Sequence, residues 1–176
     1  LKKFGELLLM IPVYEPFYLE RDVRQLINNP REYDPRFSLA VLDSEGEPVG
    51  FAMATRSYPE LEYERGENNL HNSLFVVHPR LRGTRVAPWL NYRRLQAGKE
   101  RGFTYAHWGT WEGLEPHDGS RALGFFRKIG ANIISYSGHC PPWIVFLELE
   151  IDEGLRSLEA MFSNNVGSRD LTPFIV

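Results

Sequence analysis

The chain is short of cysteine, long apolar runs and positive charge, and each shortage removes a class of protein. Cys140 is the single cysteine among 176 residues, so no internal disulfide can form. A lone thiol fits a reducing compartment, which makes the cytoplasm the expected location. The longest apolar stretch near either end is 7–13, preceded by Glu6 and broken by Pro12. A bilayer span needs about twenty such residues, so neither a membrane helix nor a signal peptide is expected. Lys and Arg number 20 against 23 Asp and Glu, a net charge of −3. That balance denies the chain the overall basic field of a nucleic-acid or anionic-membrane binder.

What is present suffices for a core. Apolar residues make up 43% of the chain, aromatics 13% and charged residues 24%, which excludes the disordered and collagen-like classes and predicts one folded domain over 1–176. Charge is uneven, however. Between His78 and Gly102 stand seven cations (Arg80, Arg82, Arg85, Arg93, Arg94, Lys99 and Arg101) and one anion, Glu100, a local +6. Such a cluster is either a solvated helix face or a seat for an anionic ligand.

Hydrophobic periodicity places the elements. Val23, Leu26 and Ile27 predict a short helix over 20–28. Strand patterns at 37–42 and 49–55 flank the turn-forming DSEGEP and read as an antiparallel hairpin. The acidic 58–69 stretch reads as a loop or ragged strand edge, and SLFVV at 73–77 as a buried strand stopped by His78-Pro79. Pro88 suits the first turn of a following helix, whose apolar stripe is Val86, Trp89, Leu90 and Leu95, with Arg93, Arg94 and Lys99 outward and Gly102 as its stop. Beyond it come a strand at 103–108, a loop at 109–118, a helix at 120–129, strands at 131–136 and 143–151, and a terminal helix at 153–162.

One segment carries chemistry. Arg82-Gly83-Thr84-Arg85-Val86-Ala87 is a tight turn leading into a helix, where backbone N–H groups and the helix dipole converge on phosphate oxygens. Gly83 allows close backbone approach, Thr84 brings a hydroxyl, Ala87 keeps the helix start uncluttered, and Arg82 and Arg85 supply charge-assisted contacts. A pyrophosphate fits. The segment lacks the Lys-Ser/Thr of a P-loop and the three glycines of a dinucleotide fingerprint, so ATPase and NAD readings fall.

These residues resemble the coenzyme A loop of the GNAT N-acetyltransferase superfamily, which runs Arg or Gln, two residues, Gly, one residue, then Gly or Ala. Arg82 and Ala87 match its ends, while Arg85 stands at the internal glycine and Gly83 lies within the loop. The order of elements from 37 to 151 is also the family's, including Val77-His78-Pro79 and the stretch FFRKIGA at 125–131, with 152–176 as a C-terminal extension. The resemblance implies an α/β (α+β) fold with a mixed, mostly antiparallel sheet flanked by helices. A V-shaped split would separate the strands at 73–77 and 103–108. Acetyl-CoA or another acyl-CoA would be the co-substrate, with its pantetheine arm paired to the backbone at Phe75 and Val77 and its pyrophosphate held by the amides of Arg82, Gly83, Thr84, Arg85, Val86 and Ala87.

The catalytic groups are less fixed. His71 resembles a histidine position in the arylalkylamine branch of the superfamily, and an unperturbed imidazole suits proton removal near neutral pH. Glu60, Glu62 and Glu64 are alternative bases or attract a cationic amine, with Glu62 the chosen candidate. Many family members use a Tyr in the second helix to protonate the departing thiolate. Here Phe126 occupies that place, Gly119 stands where an Asn is usual, and Ala122 is kept. Tyr105, Tyr136, Ser120 or water would have to serve instead, with Tyr105 the candidate. His139-Cys140 are adjacent in an extended segment and point apart, which disfavours a thiol–imidazole pair. His107, His117 and Asp118 lack metal-ligand spacing, and no metal is expected. Trp108, Trp111 and Trp143 floor an acceptor pocket or fill the core.

The leading expectation is therefore an acyl-CoA-dependent N-acyltransferase acting on an amine-bearing small molecule or protein by direct attack on the thioester. The alternative is a catalytically silent acyl-CoA-binding module, motivated by Phe126 and Gly119. A nucleic-acid contact through the Arg-rich helix is a third reading, disfavoured by net charge.

Overall fold

The computed structural model describes residues 37–55, 69–112, 119–137, 143–163 and 174–175. The helix expected at 20–28 lies outside them. Strands β1 (Leu39–Leu42) and β2 (Pro48–Thr55) form the expected hairpin. Its turn is built by Asp43, whose Oδ1 accepts from the backbone N–H groups of Glu45 and Glu47, both at 3.0 Å. Then follow β3 (Asn69–Val77), a single 3₁₀ turn (Pro79–Leu81), α1 (Val86–Glu100), β4 (Tyr105–Glu112), α2 (Gly119–Lys128), β5 (Asn132–Ser137), β6 (Trp143–Glu150), α3 (Ile151–Ser163) and β7 (Phe174–Ile175).

The strands form one open sheet in the order β5-β6-β4-β3-β2-β1-β7. Every neighbouring pair is antiparallel apart from β3 and β4, which run parallel because α1 carries the chain back between them. The mixed, mostly antiparallel sheet with flanking helices is thus as expected. On one face Leu70, Ala106, Trp108, Leu147 and Leu149 pack with Leu95 of α1, Leu123 and Phe126 of α2, and Leu155 and Leu158 of α3. A second cluster joins Val41, Val49 and Ala52 to Val86 and Leu90 at the start of α1. Lys99 of α1 pairs with Asp152 of α3 at 2.7 Å. Gly102, at φ +81°, ends α1 as expected, its N–H donating to Lys99 O at 2.9 Å.

Three differences from the sequence reading matter. Strand β3 begins at Asn69, four residues before the apolar SLFVV, because Asn69 to Asn72 hydrogen-bond in register with Tyr105 to Trp108 of β4. Strand β4 runs on to Glu112, since its residues from Gly109 pair with β6, so the long loop expected from 109 shortens by four residues. Arg94 points inward at 1% exposure rather than outward. The buried stripe of α1 is Val86, Leu90, Asn91, Arg94, Leu95 and Gly98, a run at three and four apart that takes the arginine with it.

Candidate active site

The site is set by a strand pair that parts company. Pairing of β3 with β4 ends at Asn72 and Trp108, whereas β3 stays paired with β2 to Val77. The parting has a local cause. Met53 and Ala54 of β2 face Leu74 and Asn72 of β3, so Ser73 is an extra residue in β3, and such a bulge bends the strand away from its neighbour. From 74 to 77 the edge of β3 that faced β4 has no strand partner among the described residues. An open edge of this kind accepts an extended amide chain as an added strand. Phe75 and Val77, half-buried, lie along it.

The open edge leads into the loop before α1. Gly83 adopts φ +75°, and a Cβ there would meet nothing within 4 Å, so the backbone is open to a ligand. Arg82 N–H donates to Pro79 O and Thr84 N–H to Leu81 O, each at 3.2 Å, while Thr84 Oγ1 donates to Leu81 O at 2.6 Å. These internal bonds hold the loop's shape and occupy the Arg82 and Thr84 amides, so the candidates for a phosphate are the amides around Gly83 and the first turn of α1. There helix geometry provides no carbonyl partner one turn back, and the N-cap Arg85 makes no side-chain cap bond. Val86 turns its side chain into the core, at 4% exposure. Its amide donates to Thr84 Oγ1 at 3.4 Å, which leaves the Ala87 amide as the helix-start N–H that faces a ligand. The open edge, the left-handed Gly83 and the start of α1 are compatible with the amide arm and pyrophosphate of an acyl-CoA.

The local cluster of cations disperses in three dimensions. Arg80 pairs with Asp43 at 2.7 Å and helps hold that carboxyl below its usual range, behind the backbone N–H bonds from Glu47 and Glu45. Lys99 is tied to Asp152, Arg93 lies over the Trp89 ring at 5.5 Å, Arg101 over Phe37 at 5.4 Å, and Arg94 is buried. Arg82 and Arg85 are the cations on the loop itself.

Side chains at the apex of the split are polar and buried. Arg94 Nη2 donates to Asn72 Oδ1 and, at 3.1 Å, to Met53 O. Asn72 Nδ2 donates to His107 O at 3.1 Å. One arginine and one asparagine thus tie α1, β2, β3 and β4 together at the point of divergence. His71, next to Asn72, alternates onto the face opposite the helices. Its ring lies 5.3 Å from that of His107, tilted by 34°. His107 Nε2 stands 3.0 Å from Glu148 Oε2 of β6. Burial, and then the charge of His107, push the His71 imidazole down from 6.5 to about 4. His71 is therefore neutral at physiological pH and has a lone pair to offer.

The other candidates fall as follows. Glu62, with Glu60 and Glu64, lies outside the described residues, as do His117, Asp118, His139 and Cys140. Tyr105 opens β4 opposite Asn69, at the closed end of the pair, three residues before the split begins. Tyr136 is on β5 at 55% exposure. Phe126 is buried among aromatics, 4.9 Å from Trp108 and 6.5 Å from Phe75 between ring centroids. Trp108 is core, and its buried Nε1 has no hydrogen-bond partner among the described residues. Among the described residues no group of His, Cys, Asp or Glu is arranged to hold a metal, and no helix is long and apolar enough to cross a membrane.

Sequence reasoning missed Asn72, Arg94 and Glu148, and saw His107 only as a metal candidate. A signal existed for two of them: Arg94 falls on the stripe running Val86, Leu90, Arg94, Gly98, and Glu148 interrupts the apolar WIVFLELE with an inward-facing charge.

A sequence model of the acetyltransferase (GNAT) family matches residues 7–131, starting well before the 37–151 span that carried the resemblance. No curated protein sequence matches. Among solved structures, an aminoglycoside 6'-N-acetyltransferase complexed with coenzyme A is similar at TM-score 0.61 and 16% identity, over 85% of this chain and 89% of that one. Ard1 from Thermoplasma volcanium is similar at TM-score 0.58 and 16% identity, over 85% and 91%. An aminoglycoside 6'-acetyltransferase type Ii is similar at 0.56 and 18%, over 85% and 88%.

Proposed function

The chain belongs to the GNAT acetyltransferase family, and from that premise we propose that it moves an acyl group, most simply acetyl, from coenzyme A to an amine by direct attack, with His71 as the base. The observation that carries this reading is the geometry of the split. The open edge of β3 and the Gly83 loop lie on a line toward the start of α1, and His71 sits one residue inside the apex on the other face. A thioester laid along the open edge reaches the apex from the loop side, and an amine approaches it from the histidine side.

The step needs few groups. The amine nitrogen attacks the thioester carbonyl carbon, a C–N bond forms, and the C–S bond breaks. The amine proton passes to neutral His71, and the thiolate leaves to be protonated by water, since Phe126 has no proton to give. A depressed imidazole keeps the base form available at all physiological pH. The amides bordering the split near 74–77 are the donors within reach of the developing oxyanion. The acceptor is an amine-bearing small molecule or a protein amine, and two of the similar structures are enzymes for aminoglycosides.

The test is calorimetric titration with acetyl-CoA and with adenine-only fragments, followed by a thiol-release screen over aminoglycosides, polyamines, arylalkylamines and peptide N-termini. Binding that needs the pyrophosphate, with amine-dependent thiol release, is the expected result. Binding without release for any amine favours the silent module, and no binding by folded protein overturns the loop assignment.

A further inference from the structure

Three adjacent strands place three titratable groups in one register row: His71 of β3 faces His107 of β4, and His107 faces Glu148 of β6. All three are buried, on the face away from the helices. The row is physically connected. The His71 and His107 rings are 5.3 Å apart, and His107 Nε2 meets Glu148 Oε2 at 3.0 Å. A buried carboxylate accepts, so it selects the His107 tautomer with hydrogen on Nε2 and leaves Nδ1 as an acceptor. That Nδ1 is itself buried and has no hydrogen-bond partner among the described residues.

We propose that His71, His107 and Glu148 act as one proton-holding unit, in which His107, oriented by Glu148, is a positioning residue that takes over the proton His71 removes from the acceptor. The inference rests on the reading of His71 as the base and extends it. An imidazole held as low as about 4 accepts a proton from an alkylamine only against a steep gradient, so it works well only if the proton moves on. The atoms balance. The amine N–H breaks as one ring nitrogen of His71 gains hydrogen, and the other ring nitrogen of His71 releases hydrogen to Nδ1 of His107, directly on ring movement or across one water. His107 becomes an imidazolium that keeps its Nε2–H bond to the Glu148 carboxylate, and no electrons are exchanged with another group. After product leaves, the proton returns to solvent by the same route.

Two like charges are not held side by side in this burial, so the two imidazoles share a single added proton. Among the described residues, the other titratable groups on this face of the neighbouring strands are Tyr105 of β4 and Glu150 of β6, which face each other two register positions beyond Glu148. On β5 the residue opposite Glu148 is Asn132, and on β2 the one opposite His71 is Thr55; neither titrates.

The test is an imidazole ¹⁵N titration of the full chain, for wild type, Glu148→Gln, His107→Asn and His71→Asn. In wild type, His107 should show hydrogen on Nε2, with His71 neutral to below pH 5. In Glu148→Gln the hydrogen-bond signature on His107 Nε2 should weaken, and His107→Asn should raise the His71 midpoint. A His107 tautomer with hydrogen on Nδ1, or a His107→Asn variant that leaves the His71 midpoint unmoved, overturns the unit. The tautomer is read on wild type alone, so a variant that fails to fold does not shelter the idea. His71→Asn that retains full amine-dependent thiol release would remove the base reading without touching the titration, so the two failures are distinguishable.

Discussion

The two halves of β3 differ in every respect that bears on function. Residues 69–72 are paired with β4, and His71 and Asn72 with β2 as well, and they carry buried Asn69, His71 and Asn72, whereas residues 74–77 are paired, among the described residues, with β2 alone and read as apolar. A buried polar group without a partner costs about 1–3 kcal/mol, so the first half is retained only because its groups are paired, and pairing fixes their geometry. The second half gives up one set of strand bonds and exposes an edge. On the proposed function, one half of the strand fixes the base and the other offers an edge to the co-substrate. Ser73, the extra residue between them, is the hinge of that division.

The comparison is broken most severely by removing the histidine of the closed half. His71→Gln should lower amine-dependent turnover by about 10²–10⁴-fold, the usual worth of a general base, while leaving the calorimetric affinity for acetyl-CoA unchanged. Equal turnover would dissociate the closed half from catalysis. Next comes the tie between the halves. Arg94→Met keeps bulk but leaves Asn72 Oδ1 and Met53 O without their donor, and should cost on the order of 3 kcal/mol in urea unfolding. A loss under about 0.5 kcal/mol, the range of an ordinary surface change, would mean that the buried guanidinium does not hold the apex together.

Acid should act on the closed half alone. The folded His71 titrates at about 4 against 6.5 in the unfolded chain, so between those values the unfolded state binds a proton the folded state refuses. This contribution is intact above pH 6.5 and is lost as pH falls toward 4, by at most about 3 kcal/mol. Urea midpoints measured from pH 7 to 4 should fall less for His71→Gln than for wild type, because the variant lacks that slope. Parallel curves would contradict the burial of the imidazole. The open half answers to a different variant: Arg82→Ala should weaken acetyl-CoA binding by about 1–3 kcal/mol, the range for a charge-assisted hydrogen bond, with stability unchanged.

Legibility follows the same division. The apolar half of β3, the hairpin, the loop and the stop of α1 at Gly102 were readable, because burial of apolar side chains and special backbone conformations leave marks at fixed spacings. The closed half was not. Asn-Leu-His-Asn at 69–72 looks like loop sequence, and its burial comes from pairing with β4, some 35 residues away. Arg94 read as surface for the same reason, since a charge predicts exposure until a tertiary partner is known. Glu148 could be connected to His71 only through the strand order, which places β6 beside β4 although β5 lies between them in sequence. The resemblance to a family singled out 82–87 as the proposed coenzyme A loop by residue type. It gave no hint of the Glu148–His107 pair, which no local motif encodes.

The smallest expected effect concerns Phe126, which stands where many family members carry a proton-donating Tyr. Its ring is buried at 3% exposure against Trp108, whose Nε1 is itself buried without a partner among the described residues. Phe126→Tyr adds one hydroxyl to this cluster. If that oxygen accepts from Trp108 Nε1, two buried polar groups satisfy each other and the change is close to neutral. If it does not, the added hydroxyl costs about 1–3 kcal/mol. Turnover is expected to stay within about threefold of wild type, under about 0.7 kcal/mol in barrier, because a thiolate leaving into an open split takes its proton from water. A rise beyond tenfold would show that thiolate protonation limits the natural enzyme. The aromatic cluster of the helix face, rather than the histidine row opposite, would then set its rate.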